Sequence, residues 1–288
     1  MRTILASITL EPNRWTRFKD PKMDLIDLLP LIRAAGFDKV EVWQWHVTAR
    51  TLNAARAIRE KGDEVGVSFP YVGVYPVFIF DGADGREQER LQADVLDKAE
   101  ILGTKTLKVM LGLFLKGGDA TPEQVHLTAE RFSAWYRAAK ARGIGMCVEL
   151  HGGTMFDPVD SGIRFMRDYP ELDFTICYQP YDFPDTDKAL ALADRFAGRI
   201  SHIHLQAPQS PERGGMYDLL EEGTLDYARL LPHILRANPG ATITLEFVKD
   251  CIQHDRPFDV TPILANAKKD AEFVEGILEK ADQVIKQP

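Results

Sequence analysis

The sequence predicts an α/β protein built as a single (β/α)8 barrel, one domain over residues 1–288. Three observations predict it. Short runs rich in Val, Ile, Leu and Thr alternate with helical segments along the chain, the pattern of a parallel sheet with crossover helices. There are eight such units, about 30 residues apiece, and eight units close a barrel. No linker, low-complexity tract or charge block divides the chain. An open doubly wound sheet is the alternative. It ranks below because no Gly-rich phosphate turn follows an early strand.

The elements follow in order. Ile4–Thr9 reads as the first strand. Asp24–Ala35 is helical, with Pro30 as a kink and Gly36 as the stop. Lys39–Trp43 is the second strand, and Leu52–Lys61 the next helix, stopped at Gly62. Val65–Phe69 is the third strand, and an aromatic loop, Tyr71 to Asp84, follows it. Arg86–Leu102 is helical up to Gly103, and Thr106–Leu111 is the fourth strand. The next helix has the clearest start: Thr121 caps, Pro122 takes the first helical position and Gln124 completes a capping box. It runs to about Arg142. Gly145–Gly153 holds the fifth strand. A helix near Val159 to Tyr169, a strand at Asp173–Gln179 and a helix at Thr186–Phe196 come next. Arg199–Gln206 is the seventh strand. A long loop, Ala207–Gly223, leads to a helix at Leu225–Ala237. Ala241–Val248 is the eighth strand, and a helix from Val260 to Ile285 closes the pattern.

Composition bounds the function. With 45% hydrophobic and 27% charged residues the chain has ample material for a large core. A net charge of -8 without a long basic run disfavours nucleic acid and anionic membrane as partners. No apolar stretch approaches the roughly 20 residues that span a bilayer. The short apolar run at the start is broken by Glu11, Pro12, Asn13 and Arg14, and reads as strand rather than signal peptide. Three cysteines without CxxC spacing suit a reducing cytoplasm.

Strand parity then singles out a site. Side chains alternate across a strand. Cys147, Glu149 and His151 oppose Val148 and Leu150; Thr175, Cys177 and Gln179 oppose Phe174, Ile176 and Tyr178. His202, His204 and Gln206 oppose Ser201, Ile203 and Leu205; Thr242, Thr244 and Glu246 oppose Ile243, Leu245 and Phe247. Glu41 and Trp43 oppose Val40 and Val42. The apolar sets belong against the helices, so the polar sets face the axis. Packing does not explain this, because barrel cores are normally Val, Ile and Leu. A buried glutamate has a large desolvation cost unless an ion pair or a metal offsets it. Glu149, Gln179, His204 and Glu246 sit near the C-terminal ends of successive strands, where barrel active sites lie. Two carboxylates, an imidazole and an amide oxygen make a plausible set for Mn²⁺, Mg²⁺ or Co²⁺, with Zn²⁺ also accommodated. The alternative is a metal-free Glu–His–Glu hydrogen-bonded network.

Several stretches also resemble a known family. GFDKVEVW around the second strand, VELHGG at the fifth, HIHL at the seventh, EEGTLDYARLLPHI before and into the helix after it, and LEF at the eighth resemble the xylose isomerase-like barrels, in this order and over nearly the whole chain. That superfamily holds sugar isomerases, epimerases and dehydratases. The resemblance implies a metal held by Glu149, Gln179, His204 and Glu246. Gln179 is a departure, since the family usually has aspartate there, and about one negative charge is missing as a result. Asp182 stands where the family often has histidine, and Gln206-Ala207 replaces a usual Lys-Asp. The resemblance also implies that Glu149 and Glu246 move protons on opposite faces of the substrate. The expected reaction is abstraction of a proton next to a carbonyl, through a metal-stabilised enediolate, by a sugar isomerase or epimerase.

Further residues are candidate sugar contacts: Glu41, Trp43, Lys108, His151, Asp182, Gln206 and Arg213. Each has a plainer reading. Lys108 serves as base, as carbonyl clamp, or as an ion-pair partner of a barrel glutamate such as Glu41. Trp43 is sugar platform or core, His151 and Arg213 are contacts or solvated, and His202 is a supporting partner of the site. The aromatic loop is a lid or an oligomer contact, and a homo-oligomer is compatible with it. The rivals are a dehydratase of a polyol or keto-acid (inosose or dehydroshikimate dehydratase-like), a non-catalytic sugar-binding barrel, and a nucleic-acid hydrolase, since an apurinic endonuclease shares this barrel. The last is disfavoured by the acidic balance and by the lack of extra His and Asp ligands for a metal cluster.

Overall fold

Eight parallel strands close on themselves in sequence order. They are β1 (Thr3–Ala6), β2 (Lys39–Trp43), β3 (Ser68–Val74), β4 (Thr106–Val109), β5 (Gly145–Glu149), β6 (Thr175–Tyr178), β7 (Ile200–Gln206) and β8 (Thr242–Phe247), and β8 pairs back onto β1. The computed structural model describes every residue except 17–18, 180–184, 210–215, 255 and 286–288. The helices among the described residues are α1 (Leu25–Ala34), α2 (Gln44–Thr48), α3 (Leu52–Val65), α4 (Gly82–Leu102), α5 (Pro122–Ala141), α6 (Val159–Asp168), α7 (Thr186–Asp194), α8 (Tyr227–Ala237) and α9 (Val260–Ile285). The expected (β/α)8 barrel is therefore the observed one. Among the described residues, no helix is long and apolar enough to cross a membrane.

Two strands, β1 and β3, differ from the sequence reading by three residues or more at an end, and each has a physical cause. β1 stops at Ala6, and Ser7–Leu10 turns as a 3-10 helix instead of extending the strand. Ser7 Oγ accepts from Trp43 N at 2.8 Å and bonds His46 Nδ1 at 2.9 Å, which draws the chain out of the ladder. β3 begins at Ser68, not Val65, because α3 runs through Gly62. Its end is Gly66, left-handed at φ 73°. Gly62 lies inside the helix and is a packing glycine rather than a stop: a Cβ there would stand 2.7 Å from the Phe69 ring and from Val67 O. β3 consequently reaches Val74, so Tyr71 is a strand residue rather than the first of a loop. The short α2 was not expected.

The core has two parts. A large cluster lies between strands and helices and includes Leu5, Val40, Val72, Leu107, Val148, Ile176, Ile203 and Leu245. A small separate one, Ile4, Tyr71, Cys147 and Cys177, lies inside the barrel. Strand alternation sends the apolar parity outward and leaves the axis to the other parity. All three cysteines are buried and unpaired as disulfides.

Candidate active site

Glu41, Lys108, Glu149, His202, His204 and Glu246 are contributed by β2, β4, β5, β7 and β8, Gln179 follows β6 directly, and all seven are buried. They form two layers.

The upper layer centres on His204 Nδ1. It lies 3.5 Å from Glu149 Oε1 and 3.4 Å from Glu246 Oε2. One terminal atom of the Gln179 amide lies 3.0 Å from His204 Nδ1, 2.5 Å from Glu149 Oε1 and 3.1 Å from Glu246 Oε2. As nitrogen, that atom donates to the carboxylates. As oxygen, it faces the two carboxylate oxygens, which can only accept, an arrangement that a cation between them would relieve.

The lower layer is built on Glu41. Its Oε2 accepts from His202 Nε2 at 2.8 Å and from His204 Nε2 at 3.0 Å. His202 Nδ1 lies 2.6 Å from Thr242 Oγ1, which lies 2.8 Å from Tyr71 Oη. The Tyr71 ring stacks on His202 at 4.0 Å. Because Nε2 of His204 is committed to Glu41, its Nδ1 is the nitrogen turned to the upper layer.

Lys108 joins the layers. Its Nζ donates to Glu149 Oε2 at 2.6 Å, lies 3.9 Å from Glu41 Oε1 and 5.1 Å from the centre of the Tyr75 ring. Gly73 makes the room: a Cβ there would stand 3.1 Å from Lys108 Cε and 3.2 Å from Glu41 Oε1.

The electrostatics follow from this packing. Burial pushes Glu149 up, but the Lys108 charge and then the His204 contact outweigh it and hold the carboxyl below its usual range. Burial opposes the charge on Lys108, yet Glu149, Tyr75 and the other glutamates hold its pKa well above the ordinary value. Glu41 is held well below its ordinary value against burial, by His204 and His202. For His204 burial acts downward, while Cys177, Glu41 and Glu246 raise it well above the ordinary value. His202 goes down, through burial.

Several solved structures share this fold. The probable 3-DHS dehydratase of Bacillus anthracis superposes with a TM-score of 0.73 at 13% identity, over 96% of this chain and 99% of that one. D-psicose 3-epimerase of Clostridium cellulolyticum, solved with D-tagatose, gives 0.73 at 13%, over 96% and 99%. A xylose isomerase-like TIM barrel protein of Mycobacterium smegmatis, solved in complex with magnesium, gives 0.69 at 13%, over 97% of each chain. The chain has the xylose isomerase-like barrel fold. No family model matches the sequence, and no curated protein matches it in sequence.

The donor set of this xylose isomerase-like barrel fits a divalent cation. Octahedral ligands at about 2.1 Å stand about 3 Å from their neighbours. Glu149, His204 and Glu246 offer atoms within 4.8 Å of one another, and the Gln179 amide completes the cluster. Cys177, His202 and His204 form a second such group, but both nitrogens of His202 already have partners.

The other expected contacts are placed as follows. Lys108 is committed to the barrel glutamates, the ion-pair alternative. Glu41 lies beneath the cluster and is spent on two imidazoles. Trp43 is 2% exposed and packs on Trp45 with ring centres 5.0 Å apart. Gln206 is buried, and its main-chain carbonyl accepts from Tyr227 Oη at 2.6 Å. His151 is half-buried on the loop after β5, with Nδ1 2.7 Å from Gly152 O. Asp182 and Arg213 lie outside the described residues. Sequence reasoning passed over Tyr71 and Thr242 as partners of His202, and placed Tyr75 only in a loop. Parity on the full β3 would have pointed Tyr71 at the axis.

Proposed function

We propose that this chain is a metal-dependent isomerase or epimerase of a sugar or polyol, acting by proton abstraction next to a carbonyl. The observation that carries the reading is the convergence of Glu149 and Glu246, from β5 and β8, on one nitrogen of His204. Glu149, the oxygen of Gln179, His204 Nδ1 and Glu246 would hold the ion. When bound, a divalent cation supplies the charge that acidifies a C–H beside a carbonyl and stabilises an enediolate.

The chain's own residues divide the remaining work. Lys108 keeps Glu149 ionised and fixed, which suits a ligand more than a moving base. Glu246 has no Lys or Arg partner among the described residues, so it is the better group to take the proton. Glu41 holds His204 with Nδ1 forward. Trp45 and Tyr75, with ring centres 5.1 Å apart, offer an aromatic wall suited to the C–H face of a sugar. The named sugars and the dehydratase substrate of the fold relatives are compatible with a small polyhydroxylated substrate.

The test is incubation of the Mn²⁺-loaded protein with ketoses, sugar acids and inosose-like rings in heavy water. Deuterium at a carbon next to a carbonyl is the expected result, and a product short of one hydroxyl would mark a dehydratase instead. Glu246→Gln should lower uptake by about 100-fold or more. No deuterium uptake from any member of the panel would sink the reading.

A further inference from the structure

We infer that Gln179 is a two-position amide: its nitrogen bridges Glu149 and Glu246 in the metal-free protein, and the group turns over to present its oxygen when a cation enters. The turning half rests on the metal-dependent reading above; the bridging half does not.

The geometry carries the bridge. Glu149 and Glu246 bring ionised or ionisable oxygens to one buried point, and carboxylates can only accept. The facing amide atom is 2.5 Å from one carboxylate and 3.1 Å from the other. A nitrogen has two N–H bonds, one for each. The opposite end of the amide faces donors, which an oxygen satisfies and a nitrogen does not. Both ends therefore favour the same orientation when no ion is present.

The turn needs little space. Oxygen and nitrogen of an amide are nearly the same size, and rotation about the terminal torsion exchanges them with no movement of the backbone. An aspartate at this position, as the family resemblance would have it, has no donor. It would add a third negative charge to the cluster and leave the metal-free site unsatisfied. Gln179 makes the metal-free state self-sufficient. The cation must then displace two hydrogen bonds to charged acceptors, the strong kind.

The experiment compares wild type, Gln179→Met and Gln179→Asp. Methionine matches the length of glutamine but neither donates nor ligates through oxygen. In EDTA both variants should unfold about 5 °C or more below wild type, because the carboxylates lose their bridge. Calorimetry with Mn²⁺ should show binding weakened about tenfold in Gln179→Met and tightened about tenfold in Gln179→Asp, as ligand charge changes. In protein labelled with ¹⁵N-glutamine, the side-chain NH₂ signals absent from Gln179→Met belong to this residue, and Mg²⁺ should move them. A Gln179→Met variant with native circular dichroism and wild-type stability in EDTA would overturn the bridge. NH₂ signals unmoved while Mg²⁺ binds would overturn the turn. A protein that binds neither ion loses the turn and the metal-dependent reading together. Missing deuterium uptake with an intact EDTA comparison sinks only the enzymatic reading.

Discussion

Lys108 is the residue on which the site's charge balance depends. Its ammonium is 1% exposed and lies 2.6 Å from a carboxylate that is equally buried. Removing one partner of a buried pair leaves the other charge without compensation, which costs about 3–5 kcal/mol. Lys108→Met keeps much of the aliphatic stem and removes the charge from between Glu149 and Glu41. Urea unfolding should show a loss of that order. A loss below about 1 kcal/mol, the range of a surface pair, would mean that another group compensates the glutamates. The presence of a lysine inside the barrel was legible, because it shares a strand face with Thr106 and Met110. Its partner was not. Alternation fixes a face, but only the closing of the barrel decides that Glu149, one strand over, lies nearer than Glu41.

At the scale of elements, the best-read segment was α5. Thr121 Oγ1 accepts from Gln124 N at 3.3 Å and Gln124 Oε1 accepts from Thr121 N at 3.0 Å, the capping box that the sequence announces. Both partners are local, so nothing distant can override them. Thr121→Ala should therefore lower stability by about 0.5–2 kcal/mol with no effect on the distant site. Thermal unfolding beside a Mn²⁺ titration checks this, and a changed metal affinity would contradict it. β1 and β3 were misjudged for the converse reason. Ser7 is held by Trp43 and His46 from another unit, and the end of α3 depends on the packing of Phe69 against Gly62. The polar faces of β5 to β8 were legible despite such shifts, since moving a strand's end by two residues leaves its parity unchanged.

At the scale of the molecule, closure ties the end of the chain to its beginning. The long α9 packs on β1, β8 and the 3-10 turn Leu220–Glu222 in the loop after β7. One buried carboxyl sits in that joint. Asp270, 2% exposed, accepts from Leu220 N at 2.8 Å through Oδ1, while Oδ2 has no hydrogen-bond partner among the described residues. Burial pushes its carboxyl up to about 7; the Leu220 hydrogen bond opposes this, Glu221 and Glu222 add to it, and Lys249 offsets it in part. The sign of the linkage follows. Below the unfolded carboxyl value, near 4, both states are protonated and the joint is at full strength. Between about 4 and 7 the unfolded chain releases its proton and the folded chain keeps it, so stability falls as pH rises. Above about 7 both are ionised, the slope vanishes, and the folded state carries the whole desolvation cost, on the order of 2–4 kcal/mol. Asp270→Asn keeps an acceptor for Leu220 N and removes the charge. Urea unfolding at pH 5 and pH 8 should show the variant gaining on wild type as pH rises. If the difference between the two proteins is the same at both pH values, Asp270 is ionised throughout and the joint does not respond to pH.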